Sequence, residues 1–426
     1  MTQAKKLPPL TAGTVAVIVC GNILEWYDFA AYGYFVSLIA SQFFPDQDRV
    51  AGLLAAFSVF ALGFLGRVGG GLLYGLLSDR AGRGRALQLS VVLMATSTTL
   101  MGLLPTHARI GTLAPVLLTL LRLLQGLSVG GEFATSITML AERAPVGRRG
   151  LVSGLVGAAA CFGFVLGAGV GALLSWRLSP EQLQSWGWRV PFLSGALLGV
   201  MAYILRRRLM SLGESEHQAE PKRAGEILKQ VFITQRAGVL RAAAGIVLYM
   251  VGFYVPFVYL ATGLQSRGLL GMSSSLSITT GALLLLALLS PPAGWLADRV
   301  GARRLLMVSA VLLAGAALPL FTLMQGGKLW VIILCMLGLV VLYAPFNAVA
   351  TLPLALQFPP AVRGTAFSIG FNLAATLCGG LSPLVADIVV RRTGSLGAAG
   401  ALLVLAAVPS IWAWARCPDE STAIGA

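Results

Sequence analysis

Long runs of apolar residues, separated by short polar segments rich in arginine, dominate this chain of 426 residues. A helix needs about 20 apolar residues to cross a bilayer, and about twelve stretches meet this requirement. The pattern therefore predicts an all-α integral membrane protein with twelve transmembrane helices. Their approximate centres are Asn22, Gly63, Ala95, Gln125, Gly163, Ala196, Tyr249, Leu284, Leu312, Leu337, Thr376 and Leu405.

The composition agrees with a membrane protein and excludes other classes. The chain is 57% hydrophobic and 11% charged, which is more apolar than a soluble domain tolerates. In a soluble protein the net charge of +15 would suggest nucleic acid, but basic loop ends also orient membrane proteins, so we expect no nucleic-acid partner. The five cysteines include no CxxC pair, and we expect neither disulfides nor a metal site.

The distribution of basic residues predicts the orientation. With the N-terminus inside, most of the 31 Lys and Arg side chains fall on the inner face, and both termini lie in the cytoplasm. The first apolar run contains Glu25 and Asp28 and lacks a small-residue cleavage site. We therefore interpret it as an uncleaved first helix and not as a signal peptide.

A loop motif occurs twice and indicates two related halves. The pattern GxxxDRxG stands at residues 75–82 and again at 294–301, each time in a basic loop after an apolar run. The sequence predicts a six-helix bundle over residues 1–206, a cytoplasmic linker over 207–236 and a second six-helix bundle over 237–426. Parallel repeats of this kind place a substrate site near the bilayer mid-plane, at their interface.

Ionisable residues inside predicted spans are candidates for function, because each costs about 2.5 to 3.5 kcal/mol at a helix centre. Static ion pairs that hold helices together are the alternative, but burying ions stabilises a fold poorly. We therefore favour a functional role. The five such residues are Glu25, Asp28, Arg67, Arg122 and Glu132.

Spacing and depth predict which of these residues meet. Glu25 and Asp28 lie on one face of the first helix, and Tyr32 extends that face by one turn. Counting about 1.5 Å per residue puts Asp28 and Arg122 near the same depth. We predict Asp28 with Arg122 as one ion pair, and Arg67 with Glu132 as a second.

Several of these motifs together resemble one transporter family. The run GNILEWYDF at residues 21–29, the RLLQG run at 122–126, the GGE run at 130–132 and the doubled loop motif are similar to the metabolite:proton symporter family of the major facilitator superfamily. The resemblance covers nearly the whole chain, but Val68 and Phe133 depart from the family's usual Pro and Trp. It implies a multi-pass transporter of the bacterial inner membrane with the major facilitator fold, which imports a small organic acid or zwitterion with protons.

The resemblance and the membrane charges assign roles to specific residues. For proton coupling, we expect an incoming carboxylate to compete for Arg122, release Asp28 and promote its protonation. The proton-coupling residues are Asp28, Arg122, Glu25 and Glu132. The predicted substrate-binding residues are Arg122, Arg67, Tyr32, Gln125, Tyr254, Asn347 and Asn372. The resemblance implies a gating latch between the halves, formed by Gly75, Asp79, Arg80 and Arg83, with a weaker twin at Asp298, Arg299 and Arg303.

The sequence thus predicts a secondary active transporter that works by alternating access. The expected activity is proton-coupled symport of a mono-, di- or tricarboxylate by a monomer, with protons as the coupling ion and no cofactor. A symporter of a zwitterion such as a betaine is one alternative. A proton-driven efflux antiporter is another, because glycines of the fifth helix partly match the antiporter pattern. We do not expect an enzyme, since the GxSxG match at 126–130 lies in a membrane helix, and Asp387 receives no role.

Overall fold

A computed structural model describes most of the chain. It covers residues 12–45, 48–81, 83–130, 137, 144–145, 147–211, 224–360 and 362–417. Nearly every residue in these ranges is helical, and none of them belongs to a β-strand. A bilayer offers no partners to backbone N–H and C=O groups, so an apolar chain satisfies them within its own helices.

Twelve long helices follow one another in the described part of the chain, and each contains one of the twelve predicted centres. The all-α prediction with twelve transmembrane helices is confirmed. We number the helices α1 to α12: Ala12–Tyr34, Arg49–Ala81, Arg83–Leu103, Leu113–Val129, Arg149–Arg177, Val190–Ser211, Arg236–Ser266, Met272–Val300, Ala302–Met324, Leu329–Leu356, Arg363–Thr393 and Gly397–Ala415.

Length and apolarity show which helices suit a bilayer. Among the described residues, eight helices are long and apolar enough to cross a membrane: α2, α5 and α7 to α12. Leucine side chains on their outer faces stay exposed, as expected where lipid replaces water. In contrast, 89% of the residues in the most apolar 18-residue segment of α7 are buried, so α7 lies at the centre of the protein.

The helices form two bundles of six. In the first bundle α1 packs on α5, α2 on α4, and α3 on α6; in the second, α7 and α9 pack on α12, and α9 on α10. The bundles meet mainly through α5 and α8, and also through α2 and α11. The predicted boundaries of the two bundles stay a prediction, and most of the proposed linker lies outside the described residues.

Small residues let α5 and α8 approach at backbone distance. A Cβ atom at Gly154 would lie 2.5 Å from the carbonyl oxygen of Ser290, which is closer than atoms can pack. The backbone of Gly294 meets that of Gly150 in the same way. Close helix approach through glycine is a common way to pack membrane helices.

The two bundles touch on both sides of the mid-plane. We call the side on which α1 begins the near side, and the opposite one the far side. Asp298 joins the bundles on the near side, and the Tyr34 hydroxyl donates to the Phe257 carbonyl, 2.8 Å away, on the far side. Between these contacts, the Thr376 hydroxyl donates to the Phe64 carbonyl. Among the described residues, the two bundles therefore contact each other on the near side, on the far side and between them.

Candidate functional site

Arg67 lies in an aromatic pocket and contacts one carboxylate. Its Nη2 atom is 3.5 Å from Oε1 of Glu25, and both side chains are almost fully buried. The rings of Trp26, Phe29 and Phe64 surround the guanidinium, with centroids 5.3 to 5.5 Å from its Cζ atom. Ring faces attract a cation and exclude water, so the ion pair stays dry.

Arg122 lies in a neighbouring pocket, and no carboxylate of the described residues is in direct contact with its guanidinium. Its Cζ atom is 4.3 Å from the ring centroid of Tyr32 and 5.3 Å from that of Phe60. Nη1 donates to Oε1 of Gln125, Nη2 is 3.5 Å from the Phe60 carbonyl, and Nε has no hydrogen-bond partner. Because a buried charge normally pairs with its opposite, this guanidinium is ready for an anion.

A glycine makes room for this cation. A Cβ atom at Gly63 would lie 3.1 Å from Nη2 of Arg122 and 3.2 Å from both Nε and Cζ. A side chain at position 63 would require the guanidinium to move by a few tenths of an ångström. The sequence therefore fixes the position of Arg122 from a neighbouring helix as well as from α4.

A chain of hydrogen bonds leads from Arg122 to Asp28. The amide nitrogen of Gln125 donates to the Thr98 hydroxyl over 2.8 Å, and that hydroxyl donates to Oδ2 of Asp28 over 3.0 Å. Arg122 donates to the carbonyl end of the same Gln125 amide. All four side chains are at least 97% buried. Together they connect α1, α3 and α4 in the interior of the protein.

The observed partners differ from the predicted ion pairs. Asp28 and Arg122 lie in one network, as their depth suggests, but they do not form a direct ion pair because Thr98 and Gln125 stand between them. Arg67 contacts Glu25 from α1. Glu132, its predicted partner, lies outside the described residues. Depth along a helix is readable from sequence, whereas rotation about the helix axis is set by packing.

The second bundle contributes Tyr254 to the buried cluster that contains Arg67 and Arg122. Its ring contacts Phe60 and Phe64 edge to face, with centroids 6.1 and 5.4 Å apart. Its hydroxyl is buried and has no hydrogen-bond partner. An unsatisfied buried hydroxyl costs about 1 to 3 kcal/mol, so a hydrogen bond to a ligand would stabilise this one. Substrate binding by Tyr254 stays a prediction.

Removing this hydroxyl should weaken transport without weakening the fold. We expect Tyr254→Phe to raise the apparent KM for substrate about five- to tenfold, the value of about one hydrogen bond. The melting temperature should stay equal or rise, because an unsatisfied polar group is removed. Uptake kinetics and thermal unfolding of the purified protein measure both effects.

Tyr343→Phe is the matched control for this prediction. The Tyr343 hydroxyl is also buried but donates to the Tyr249 carbonyl, 2.6 Å away. Its loss should lower the melting temperature and leave KM less affected. Equal KM values for Tyr254→Phe and the wild type would remove Tyr254 from the substrate-binding residues.

Two π-helical turns flank Tyr254. They span Val255–Tyr259 in α7 and Ala375–Gly380 in α11. A Cβ atom at Gly379 would lie 3.2 Å from the Tyr254 ring. Such turns free backbone groups from the helical ladder and occur often at functional sites. Pro256 was the sequence signal for the turn in α7, and α11 gave none.

The two predicted asparagines make contacts between the bundles. The amide nitrogen of Asn347 donates to the Ser290 hydroxyl over 2.7 Å and lies 3.3 Å from the Cys161 sulfur. The amide nitrogen of Asn372 donates to the Gly130 carbonyl over 2.7 Å. The Ser290 contact lies within the second bundle, whereas the Cys161 and Gly130 contacts link α10 and α11 to the first bundle. Substrate binding by either asparagine stays a prediction.

Asp298 bridges the bundles on the near side. Its two carboxylate oxygens accept hydrogen bonds from the backbone N–H groups of Gly150 and Leu151, over 2.7 and 2.9 Å. These N–H groups belong to the first turn of α5, where the helix dipole attracts negative charge. A carboxylate of the second bundle therefore caps a helix of the first.

The other latch residues fall into two groups. Arg299 lies over the Trp295 ring at 3.8 Å, and Arg303 donates to the Ala415 carbonyl over 2.6 Å, within its own bundle. The latch role of both stays a prediction. The side chains of the first copy lie outside the described part of the structure, namely those of Gly75, Asp79, Arg80 and Arg83.

Weakening the Asp298 contact should open the near side. Asp298→Asn keeps one acceptor but loses the charge that interacts with the α5 dipole, which is worth about 1 kcal/mol. We expect the population open on the near side to grow about fivefold. Distances between spin labels at Leu155 and Leu296, which are both exposed, report this change. Glu226→Gln, a change at another exposed carboxylate, should leave the distances unchanged, and unchanged distances in Asp298→Asn as well would contradict the latch.

Asp387 has a partner that the sequence analysis missed. The Nε atom of Arg391 donates to its Oδ2 atom over 2.6 Å. The residues are four apart on α11, which is a spacing that permits ion pairs on a helix face.

Twelve membrane helices in two bundles, with a buried acid and guanidinium cluster beside their interface, are the architecture of a membrane transporter. The family comparison agrees, because the profile described as "Sugar (and other) transporter" matches residues 14–230 and 208–418. The chain belongs to this family of transporters, and within it to the metabolite:proton symporters of the major facilitator superfamily.

Characterised relatives cover almost the whole chain. It is 32% identical to the citrate-proton symporter of Klebsiella pneumoniae over 93% of this chain and 89% of that protein. It is 33% identical to the ectoine/proline transporter of Corynebacterium glutamicum, over 92% and 80%. It is 30% identical to the proline/betaine transporter of Salmonella typhimurium, over 93% and 83%.

Solved structures show the same fold. The D-xylose-proton symporter aligns with a TM-score of 0.73 at 21% identity, over 96% of this chain and 98% of that one. The xylose transporter XylE from E. coli in a partially occluded inward-open conformation aligns with a TM-score of 0.75 over the same shares. The major facilitator fold is therefore confirmed.

Proposed function

We propose that this protein is a proton-coupled importer of a small carboxylate-bearing metabolite of low net charge. The observation that carries the proposal is the state of Arg122, a fully buried guanidinium. Among the described residues, it contacts no carboxylate and its Nε atom has no hydrogen-bond partner. A substrate carboxylate would complete its coordination, because a guanidinium binds carboxylates with two parallel hydrogen bonds.

The charges around the site limit the charge of the substrate. In the described part of the cluster, Arg67 and Arg122 balance Glu25 and Asp28, so the net charge is zero. The second bundle adds the neutral side chain of Tyr254. Such a site neutralises about one carboxylate, and a substrate with two or three uncompensated charges would pay a large desolvation cost. We therefore favour a monocarboxylate over a di- or tricarboxylate.

A zwitterion is the second candidate, and one observation favours it. The rings of Phe60, Phe64 and Tyr254 pack together beside the two guanidinium groups, and aromatic faces bind quaternary ammonium groups. A betaine would place its carboxylate at Arg122 and its cation among these rings. Two of the relatives carry betaine or proline in their names.

In the proposed cycle, protonation and substrate binding favour the same conformation. Substrate and proton enter from the far side and bind at Arg122 and Asp28. The near side then opens as Asp298 releases the first turn of α5, and both leave. Protons are the coupling ion, and no cofactor takes part.

The orientation and the assembly complete the proposal. The near side would face the cytoplasm of a bacterium, with both termini inside and the protein in the inner membrane, because the loops and helix ends on that side are the more basic ones. One chain contains both bundles and the site between them, so we propose that it works as a monomer.

Uptake into proteoliposomes tests this function. The purified protein should accumulate at least one of pyruvate, lactate, proline and glycine betaine when the outside is more acidic, and much less citrate. Accumulation should collapse when a protonophore is added. Substrate accumulation only when the inside is more acidic would support the efflux antiporter. Accumulation of citrate alone would contradict the preference for a monocarboxylate or zwitterion.

A further inference from the structure

We propose that Thr98 and Gln125 are positioning residues that connect the occupancy of Arg122 to the protonation of Asp28. This inference deepens the proposed function and rests on it. The motifs of the sequence mark the two charged ends of the chain of hydrogen bonds, but they give no role to Thr98 and no coupling role to Gln125. The argument depends on the direction in which each hydrogen bond runs.

The three hydrogen bonds run one way. Arg122 donates to the Gln125 carbonyl oxygen, the Gln125 amide nitrogen donates to Thr98, and Thr98 donates to Asp28. A guanidinium has only donors, so it always meets the carbonyl end of the Gln125 amide. The NH2 end then faces Thr98, whose single hydrogen is left for Asp28. We call this chain of hydrogen bonds the relay. While Arg122 donates to Gln125, the Thr98 hydroxyl donates to Asp28, which favours the ionised carboxylate.

A substrate carboxylate at Arg122 would reverse this order. It accepts hydrogen bonds from the guanidinium in place of the Gln125 carbonyl, which frees the amide to rotate by about 180° about its last torsion. The NH2 end of the turned amide donates to the substrate, and its carbonyl faces Thr98. Thr98 then donates to Gln125 and accepts from Asp28.

The reversed chain requires a proton on Asp28. An ionised carboxylate has only acceptor sites, and its oxygen would face the oxygen of Thr98 without a hydrogen between them. One proton, taken from water on the far side, adds to a carboxylate oxygen of Asp28, and the resulting O–H donates to Thr98. Substrate and proton therefore stabilise each other, which is the condition for symport.

Other charged groups near Asp28 do not replace this route. Among the described residues, Arg122 and Glu25 are the charged groups that interact electrostatically with Asp28, and Glu25 contacts Arg67. On its own helix, the neighbouring Tyr27 hydroxyl donates to the Pro191 carbonyl on α6. The face of α6 against Asp28 is formed by Gly195, which carries no titratable group. Thr98 makes the hydrogen bond to the carboxylate.

Thr98→Val tests the relay, because valine has the shape of threonine without the hydroxyl. The probe is whichever of pyruvate, lactate, proline and glycine betaine the wild-type protein accumulates. We expect proton uptake evoked by this substrate to fall at least tenfold, while counterflow exchange, which needs no net proton movement, falls much less. Thr98→Ser should restore proton uptake because it restores the hydroxyl.

Thr99→Val is the matched control. Thr99 is adjacent on α3, and its hydroxyl donates to the Ala95 carbonyl of its own helix, 2.7 Å away. Its loss should change neither proton uptake nor counterflow. Should Thr98→Val fail to fold, Gln125→Met decides the question, because it breaks the relay at its other member and predicts the same loss of proton uptake.

The outcomes separate the relay from the proposed function. A wild-type protein without proton-coupled uptake would refute the proposed function. A coupled wild type with equally coupled Thr98→Val or Gln125→Met would refute the relay alone. Loss of counterflow and proton uptake in equal measure in both variants would also refute it, since the residues would then serve substrate binding or stability.

Discussion

Arg122→Lys will reduce substrate uptake, measured as kcat/KM in proteoliposomes, by about 100-fold or more, equivalent to about 2.7 kcal/mol. Lysine retains the positive charge, so any loss reports the geometry of the cation. The guanidinium reaches Gln125 and the Phe60 carbonyl from two different nitrogen atoms. An ammonium group is a single point with a tighter hydration shell, and it cannot contact Gln125 and a substrate carboxylate in the same manner.

The pocket gives lysine little freedom to compensate. The Tyr32 ring lies against one side of the guanidinium, and Gly63 approaches Nη2 from α2. Both fit a flat group, and a compact ammonium would leave part of this space empty. We therefore expect Arg122→Lys to lower substrate affinity as well as turnover. Equilibrium binding to the purified protein measures the affinity directly.

Arg177→Lys provides the control for Arg122→Lys. Arg177 ends α5 on the far side, where its guanidinium stacks on Trp176 at the protein surface. The same chemical change there should leave uptake within about twofold of wild type, as is usual for surface positions. If Arg122→Lys also transports at wild-type rate, Arg122 does not bind the substrate carboxylate.

Asp28→Asn should abolish uphill transport. For one proton per substrate molecule, a gradient of one pH unit by itself sustains a roughly tenfold concentration ratio. Asparagine has the size of aspartate but cannot bind or release a proton, so the ratio should fall to about one. Counterflow exchange should continue, because the amide oxygen still accepts from Thr98 as the carboxylate does.

Accumulation and exchange, measured in the same vesicles, distinguish coupling from general damage. Asp48→Asn serves as the control, since Asp48 is an exposed carboxylate that accepts from the backbone N–H of Ala51 at the start of α2. It should accumulate substrate like the wild type. A tenfold gradient in Asp28→Asn would show that another group carries the proton, and the relay to Arg122 would lose its purpose.

Much of the fold was predictable because the bilayer imposes a simple rule on sequence. Every span must be long and apolar, so the twelve helices were visible as runs of hydrophobic residues. The same rule makes ionisable residues inside a span conspicuous, and Asp28 and Arg122 were both identified this way. Asp298 was predicted from the duplicated motif, and the structure shows that it contacts the other bundle.

The connections among these residues were not predictable. Thr98 is one of several hydroxyl residues on α3, and Ser97 and Thr99 donate to carbonyls of their own helix. Only the rotation of α3 against α1 and α4 makes Thr98 the link to Asp28. Similarly, Arg67 faces Glu25 because α1 and α2 cross at that level. Which side chains form a hydrogen bond or an ion pair depends on distances of a few tenths of an ångström. The hydropathy of the sequence does not contain this information.

The sequence alone determined the number of membrane helices, their division into related halves and the depth of the charged groups. These properties follow from transfer free energies, which add up residue by residue along the chain. Tertiary structure decided that Gln125 and Thr98 separate Arg122 from Asp28, and that the Tyr254 hydroxyl stays without a partner. Hydrogen bonds are short and directional, so they depend on how helices from distant parts of the chain pack together.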